Sequence, residues 1–299
     1  MSIDRTRLSD LPVIVKASLR RTLLLWLCCV ECFIPATALA DDALVMAIFP
    51  RRNAAQTIEF FKPMAAHLAT ELGREVELVT AKDLEAFWQG IKQQSYDIVH
   101  LNQYDYIRAN EQFNYQVILK NEEFGESMIR GALICRQESD IKTIADLRGK
   151  KILFGGGQTA MISYLVNTDM LREAGLKRDD YEIVFAKNPP NALIGVYHGI
   201  ADAAGVGDII LKFSAIKKKV NLDKMRVIHV SDAMEHLPWA VKGNMSADLR
   251  DQIKQILSTL HQTDSGKQIL SNAFLTNLIA TEDQEYDRHR QLIKRLSNE

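Results

Sequence analysis

Short apolar runs alternate along the chain with longer segments in which apolar residues recur every three or four positions. That alternation predicts an α/β fold with parallel strand pairs. The run Leu44-Val45-Met46-Ala47-Ile48-Phe49 reads as a first strand, and Pro50-Arg51-Arg52 ends it in a loop. Pro63 suits the first turn of a helix carrying Met64, Leu68 and Leu72, closed by Gly73. Val76 to Val79 reads as the next strand, and Leu84, Phe87, Trp88 and Ile91 share one face of a helix. Asp97-Ile98-Val99-His100-Leu101 is a third strand. Further strands are expected at 117–119, 132–135, 152–154, 183–185, within 200–208, and at 226–230, with 236–241 as a return crossing. From Ser246 onward the charged tail reads as helical, with Ile253, Ile256, Leu257 and Leu260 on one face. Ligands of parallel sheets sit beyond the strand C-termini, which places Arg51, Arg52, His100, Asn102, Gln103 and Tyr104 on one rim.

The most informative stretch is Lys150-Lys151-Ile152-Leu153-Phe154-Gly155-Gly156-Gly157-Gln158-Thr159, followed by an apolar run to Gly175. It reads as a buried strand, a glycine turn and a helix. Three glycines let the backbone turn sharply and leave no side chain in a ligand's way. Thr159 is expected to cap the helix, and Ile162, Leu165, Val166 and Leu171 to form its buried face. A helix N-terminus behind such a loop offers free N–H groups to an anion. No Gly-Lys-Ser/Thr follows, which argues against a nucleotide P-loop.

Composition changes the picture at the N-terminus. Arg20-Arg21, the apolar run Leu23 to Val30, and Ala38-Leu39-Ala40 together read as a cleaved secretory signal over residues 1–40, hence a periplasmic location. Removing five basic and three acidic residues with it moves the net charge from −1 to −3, which gives no electrostatic reason to expect nucleic acid. Three of the four cysteines leave with that segment, so Cys135 is expected as a lone, inert buried thiol. Beyond the expected signal, which holds Cys29 and Cys32, the sequence carries no HExxH, no CxxC and no Ser/His/Asp order, and no cofactor or metal is expected, so an enzyme is the least favoured reading.

Asp140-Ile141-Lys142-Thr143-Ile144-Ala145-Asp146-Leu147-Arg148-Gly149-Lys150-Lys151-Ile152 resembles the Ser-Ile-x-Ser-Leu-x-Asp-Leu-x-Gly-Lys-x-Val signature of type II periplasmic solute-binding proteins. Within those, the chain is similar to the phosphate/phosphite/phosphonate-binding family of ABC transporters. Phe49-Pro50, Lys62-Pro63-Met64, Tyr96-Asp97-Ile98-Val99, Leu171-Arg172-Glu173-Ala174-Gly175-Leu176 and Asp202-Ala203-Ala204 support this in order along the chain. The resemblance implies two α/β lobes joined by two crossing segments and closing by hinge motion. The lobes would be residues 41–132 plus 238–299, and 133–237. It further implies a monomer that hands a small anionic ligand to a membrane permease, or, as the alternative, docks when loaded on a sensor kinase.

The loop departs from the family's phosphonate binders. Gly155-Gly156-Gly157-Gln158-Thr159-Ala160 lacks the Asp-Pro and most of the hydroxyls, and His100 and Asn102-Gln103 replace a Tyr and a Gly-Pro. Backbone amides, Gln158 and Thr159 would then hold the oxyanion, with Arg51 or Arg52 neutralising it. The expected ligand-contacting set is Arg51, His100, Asn102, Gln103 and Tyr104 from one lobe and Gly156, Gly157, Gln158, Thr159 and Ala160 from the other. Asn191 and Trp239 flank it.

Overall fold

Alternation in the sequence becomes two sheets, each with helices on both faces. The computed structural model describes residues 42–50 and 53–297, so the expected signal at 1–40 and the Arg51-Arg52 pair lie outside the described residues. In chain order the elements are β1 (Leu44–Ile48), α1 (Ala54–Leu72), β2 (Val76–Thr80), α2 (Leu84–Lys92), β3 (Ile98–His100), α3 (Gln103–Phe113) and β4 (Tyr115–Glu122). The middle of the chain forms β5 (Met128–Ile129), β6 (Gly131–Arg136), β7 (Lys151–Gly155), a π-helical turn at Met161–Val166 running into α4 (Asn167–Glu173), β8 (Glu182–Ala186) and α5 (Pro189–Tyr197). Then come β9 (Ala203–Gly207), α6 (Ser214–Lys217), β10 (Met225–Val230), β11 (Met234–Glu235), β12 (Pro238–Lys242), α7 (Ala247–Ser258), α8 (Asp264–Asn272), β13 (Asn277–Ala280) and α9 (Asp287–Ser297). Residues Ala43–Glu299 group as one compact unit.

The first sheet has the order β13-β4-β12-β3-β1-β2 and the second β10-β6-β9-β7-β8. Each has a parallel side, β3-β1-β2 and β9-β7-β8, extended by antiparallel returns. Strand periodicity splits each core in two. Met46 and Ile48 pack on one face of the first sheet with Phe61, Met64 and Leu68 of α1, while Ala47 and Phe49 pack on the other with Phe87 and Trp88 of α2. Leu153 joins Leu193 and Val196 of α5, while Ile152 and Phe154 join Met170 and Leu171 of α4.

Two local expectations are corrected and one pairing is added. Pro63 lies inside α1 rather than in its first turn. The helix starts nine residues earlier, at Ala54, because Asn53 caps it by accepting the Gln56 N–H at 2.9 Å. The missing proline N–H falls opposite the exposed end of Glu59, and the buried stripe Phe61, Met64, Ala65 and Leu68 outweighs it. Second, the tail is not wholly helical. Asn277–Ala280 adds an edge strand to β4. Third, β5 and β11 pair as a separate two-stranded ladder, Met234 opposite Ile129 and Glu235 opposite Met128. Gly175 ends α4 as expected, with φ +83° and Leu176 N–H returning to Leu171 O at 3.0 Å.

One buried base makes the fold acid-sensitive. His289 of α9 is fully buried, and burial first, then the charges of Arg288 and Arg290, hold its pKa down at about 3. The unfolded chain takes up this proton near the ordinary value of 6.5 while the native chain does not, so stability falls as pH drops below that value. By about pH 4 the loss is expected to reach about 3 kcal/mol relative to about pH 7. Urea unfolding at both pH values measures it, and His289→Phe should flatten the difference.

Candidate functional site

The parallel pairing of β7 with β8 sets Gly155 beside Ala186, so both strands end at one rim of the second sheet. A Cβ on Gly155 would lie 2.3 Å from Pro189 Cα, so only glycine lets the start of α5 back onto the loop. Asn188 caps α5, accepting the Asn191 N–H at 3.0 Å, and places the exposed Asn191 on the same rim. Gly156, at φ +99°, turns the chain and donates to Ala186 O at 2.9 Å. Gly157, Thr159 and Ala160 are half-buried and Gln158 is exposed.

Thr159 does not cap the helix. The cap position is Ala160, with no side-chain hydrogen bond, and Ala160 O accepts both Tyr164 N–H at 2.9 Å and Leu165 N–H at 3.2 Å. The helix thus opens one residue later and as a wider π turn. Ser163 Oγ donates to Gly155 O. Fully buried Asn167 donates to Ile162 O, Ser163 O and Val206 O at 2.9, 3.1 and 3.1 Å, fastening the turn to β9. Among the described residues, the N–H groups of Gly157, Gln158, Thr159, Met161, Ile162 and Ser163 reach no backbone carbonyl. Two helix N-termini and an unspent set of donors therefore meet at one rim.

The facing elements of the first sheet end in a second rim. Ile48 pairs with His100 in parallel, and β3 and β4 both run antiparallel to β12, so β1, β3 and β4 all end on the same side. A pocket of about 10 Å³ opens there, room for about one water, lined by Ile48, Phe49, Thr57, Phe61, His100, Asn121, Glu123 and Ala273. His100 is buried and stacked on Trp239 at 4.6 Å between centroids, with Phe49 edge-on at 5.3 Å. Trp239 is fully buried and donates from Nε1 to Asn121 Oδ1 at 2.9 Å, and Asn121 Nδ2 donates to Glu123 Oε1 at 3.2 Å. Thr57, Asn121 and Glu123 were not among the expected site residues. For the latter two the signal is their position just past the apolar stretch 117–119, at a strand C-terminus.

The remaining expected residues serve the backbone here. Asn102 caps α3 by accepting the Asp105 N–H at 2.9 Å. Burial raises the Asp105 pKa to about 6, opposed by the Asn102 hydrogen bond and the Arg108 charge. Buried Gln103 donates to Glu235 O at 2.9 Å, tying α3 to the β5–β11 ladder. Tyr104 packs on an apolar cluster containing Met161, Ile162 and Val166 from the helix behind the glycine loop, Ile129 and Met234 from the ladder, and Leu292 from α9. That cluster joins the two rims. Arg51 lies outside the described residues.

The arrangement offers hydrogen-bond donors without a nucleophile–base pair, and no cluster of metal-ligating side chains occurs among the described residues. No helix among them is long and apolar enough to cross a membrane. The sequence matches the family profile "ABC transporter, phosphonate, periplasmic substrate-binding protein" across residues 46–286. Among solved structures, the chain is similar to XAC2383 of Xanthomonas citri bound to ATP, at 14% identity and TM-score 0.74, covering 86% of this chain and 99% of that one. It is also similar to PhnD1 of Prochlorococcus marinus in complex with methylphosphonate, at 16% identity and TM-score 0.73, covering 85% and 98%. A third is a binding-protein component of an ABC phosphonate transporter from Pseudomonas aeruginosa, at 14% identity and TM-score 0.69, covering 84% and 85%. At these identities the structures share a fold with this chain.

Proposed function

We infer what this protein captures from one premise: the chain belongs to the periplasmic substrate-binding family of phosphonate ABC transporters, whose profile runs through most of its length. Proteins of that family capture solute for a permease and do not transform it, and nothing favours the sensor-kinase output over transport. The ligand of this chain is a small oxyanion of the phosphate or phosphonate type. The observation that carries this is the set of amides between Gly157 and Ser163, Ala160 excepted, left without backbone acceptors at a doubled helix N-terminus. Such donors favour a compact anion and cost free energy if they are buried dry.

The opposite jaw is formed by His100 and the Thr57–Asn121–Glu123 pocket, with Arg51 beside it in sequence order. Residues 41–132 plus 238–299 and residues 133–237 act as the two lobes, and the β5–β11 ladder serves as their joint. The protein works as a monomer and delivers its ligand to the permease.

Calorimetric titration with methylphosphonate, inorganic phosphate, phosphite and sulfate tests this. One-site binding to at least one phosphorus oxyanion is expected. Gly156→Val should weaken it by about tenfold or more, because a branched side chain is strained at φ +99° and its Cβ would meet Ala160 Cβ at 3.1 Å. Silence across the panel from folded protein, or an unchanged affinity in the variant, would remove the oxyanion assignment.

A further inference from the structure

We propose that the pole of the second sheet remote from the glycine loop is a docking surface for an anionic phospholipid bilayer. The register defines this pole. Ala203 pairs with Ile152, and Asp202 N–H bonds Lys151 O at 2.9 Å, so residues 200–202 lie at the start of β7. That is about 13 Å of strand from Gly155. Ala203 pairs with Cys135, and Arg136 with Met225, which brings the end of β6 and the start of β10 to the same edge. The Arg136 guanidinium donates to Val196 O at 2.8 Å and Ala201 O at 3.1 Å, and Gln137 N–H bonds Lys224 O at 2.7 Å. The end of α5, the loop to β9 and segment 217–224 therefore share one surface.

Lys217, Lys218, Lys219 and Lys224 are all exposed there, and none of them has an ion-pair partner among the described residues. Lys217–Lys219, with Tyr197, Asn221 and Asp223, border an open concavity of about 490 Å³. Beside it Ile200 is 66% exposed, the most exposed large apolar side chain described. The acids at this pole are Asp223, Glu138 beside Arg136 at 3.9 Å, Asp202, which accepts the Lys151 N–H at 2.8 Å, and Glu182, paired with Lys151 at 3.4 Å; the last three are engaged at Arg136 or Lys151 rather than at the lysines of 217–224. The surface is therefore locally basic on a chain whose net charge is −1.

Clustered lysines repel one another, and the phosphate plane of an anionic bilayer relieves that repulsion. The hollow is open, and the guanidiniums of Arg136 and Arg226 at this edge are already spent on backbone carbonyls and Gln137, so it lacks the fork that would fix a single soluble phosphate. An exposed isoleucine beside lysines suits the boundary between headgroups and acyl chains and serves no purpose for a soluble polyanion. Docked this way, the protein rests on the membrane by one end while the loop at the far end stays open to solvent.

The test is co-sedimentation of the chain from residue 41 onward with sucrose-loaded vesicles. It is expected to pellet with phosphatidylglycerol–phosphatidylethanolamine vesicles at low ionic strength and not with phosphatidylcholine vesicles. Binding should fall at least about tenfold in K217E/K218E/K219E and severalfold in I200S. It should be lost in about 0.5 M salt. Equal binding to both vesicle types, no binding to either, or a triple variant that pellets like the parent would overturn the proposal. The triple variant should keep the parent's unfolding midpoint and oxyanion titration, so failure here is distinguishable from failure of the oxyanion assignment.

Discussion

Asn167→Leu is expected to lower the unfolding free energy by about 4 kcal/mol and to abolish ligand binding at concentrations that saturate the parent. Leucine keeps the branching of asparagine at Cγ but is the bulkier residue, so overpacking adds to this cost. The rest comes from the donors. Asn167 Nδ2 serves three carbonyls, Ile162 O, Ser163 O and Val206 O, in a site with no solvent exposure. A π turn widens the helix and leaves carbonyls without the usual partner four residues on. The asparagine supplies that partner from the side and at the same time fastens the helix to β9. Close packing there leaves no slack, since a Cβ on Gly205 would lie 2.3 Å from the Phe154 ring and 2.9 Å from Ser163 O. Without the amide, each stranded carbonyl costs about 1–3 kcal/mol unless the turn tightens to α. Tightening rotates Met161 to Ser163 and withdraws their N–H groups from the rim. Urea unfolding and calorimetry on the same sample read both effects. A variant within about 0.5 kcal/mol of the parent, or one that binds as the parent does, would show that the turn is not held by this side chain.

Little of that device was legible in the sequence. An asparagine in mid-helix usually reads as a solvated residue, and a π turn has no periodicity of its own to announce it. The glycine loop was legible because three consecutive glycines between a buried apolar triplet and an amphipathic helix have few uses besides a sharp turn. Strand positions were read well where four or more apolar residues cluster, as at Leu44 to Phe49. They were missed where pairing is short or polar, as at Met128–Ile129 and Asn277–Ala280. Pro63 misled because its tolerance in the first turn is a statement about one missing donor, and a long buried stripe can absorb that loss anywhere on an exposed face. The rim of the first sheet was placed by topology from the ends of β1 and β3, yet its polar lining came from the end of β4. That strand continues through Lys120 and Asn121 to Glu122, beyond the apolar stretch that marked it. Polar residues at the buried end of a strand carry no hydrophobic signature. Their burial depends on partners such as Trp239 that lie more than a hundred residues away.

Lys120→Met is expected to cost about 3–5 kcal/mol, and to cost less as the solution becomes more acidic. Lys120 is buried at the end of β4 and bridges Glu235 on β11 and Glu285 before α9, the latter at 3.0 Å. Burial alone would lower its pKa, but the hydrogen bonds and charges of Glu235 and Glu285 outweigh that and raise it. Burial alone would raise the Glu285 pKa, and the Lys120 hydrogen bond, with those from Glu282 N–H and Thr281, lowers it instead. The signs bracket neutrality. The lysine's contribution is in full below its ordinary value of 10.5 and fades only as pH rises through the higher native value. The Glu285 contribution is present above 4.5 and fades as pH falls through the lower native value. Methionine fills the stem's space but strands two carboxylates on a half-dry joint. The Glu235 side chain, 13% exposed, contributes most of the penalty, and the 39% exposed Glu285 is largely screened. With Lys120 gone, Glu285 loses the hydrogen bond and charge that lowered its pKa while burial still raises it, so the gap between variant and parent should narrow from about pH 7 to about pH 5. Glu235→Gln in the same background should recover about half of the loss by removing the charge that lacks its partner. Because Glu235 belongs to the ladder between the two sheets, the single variant should also bind ligand more weakly than its stability alone would require. Urea unfolding at both pH values, with calorimetry at the higher one, measures all three effects. A cost below about 1 kcal/mol that stays constant with pH would mean that Lys120 is paired in the fold without supporting it.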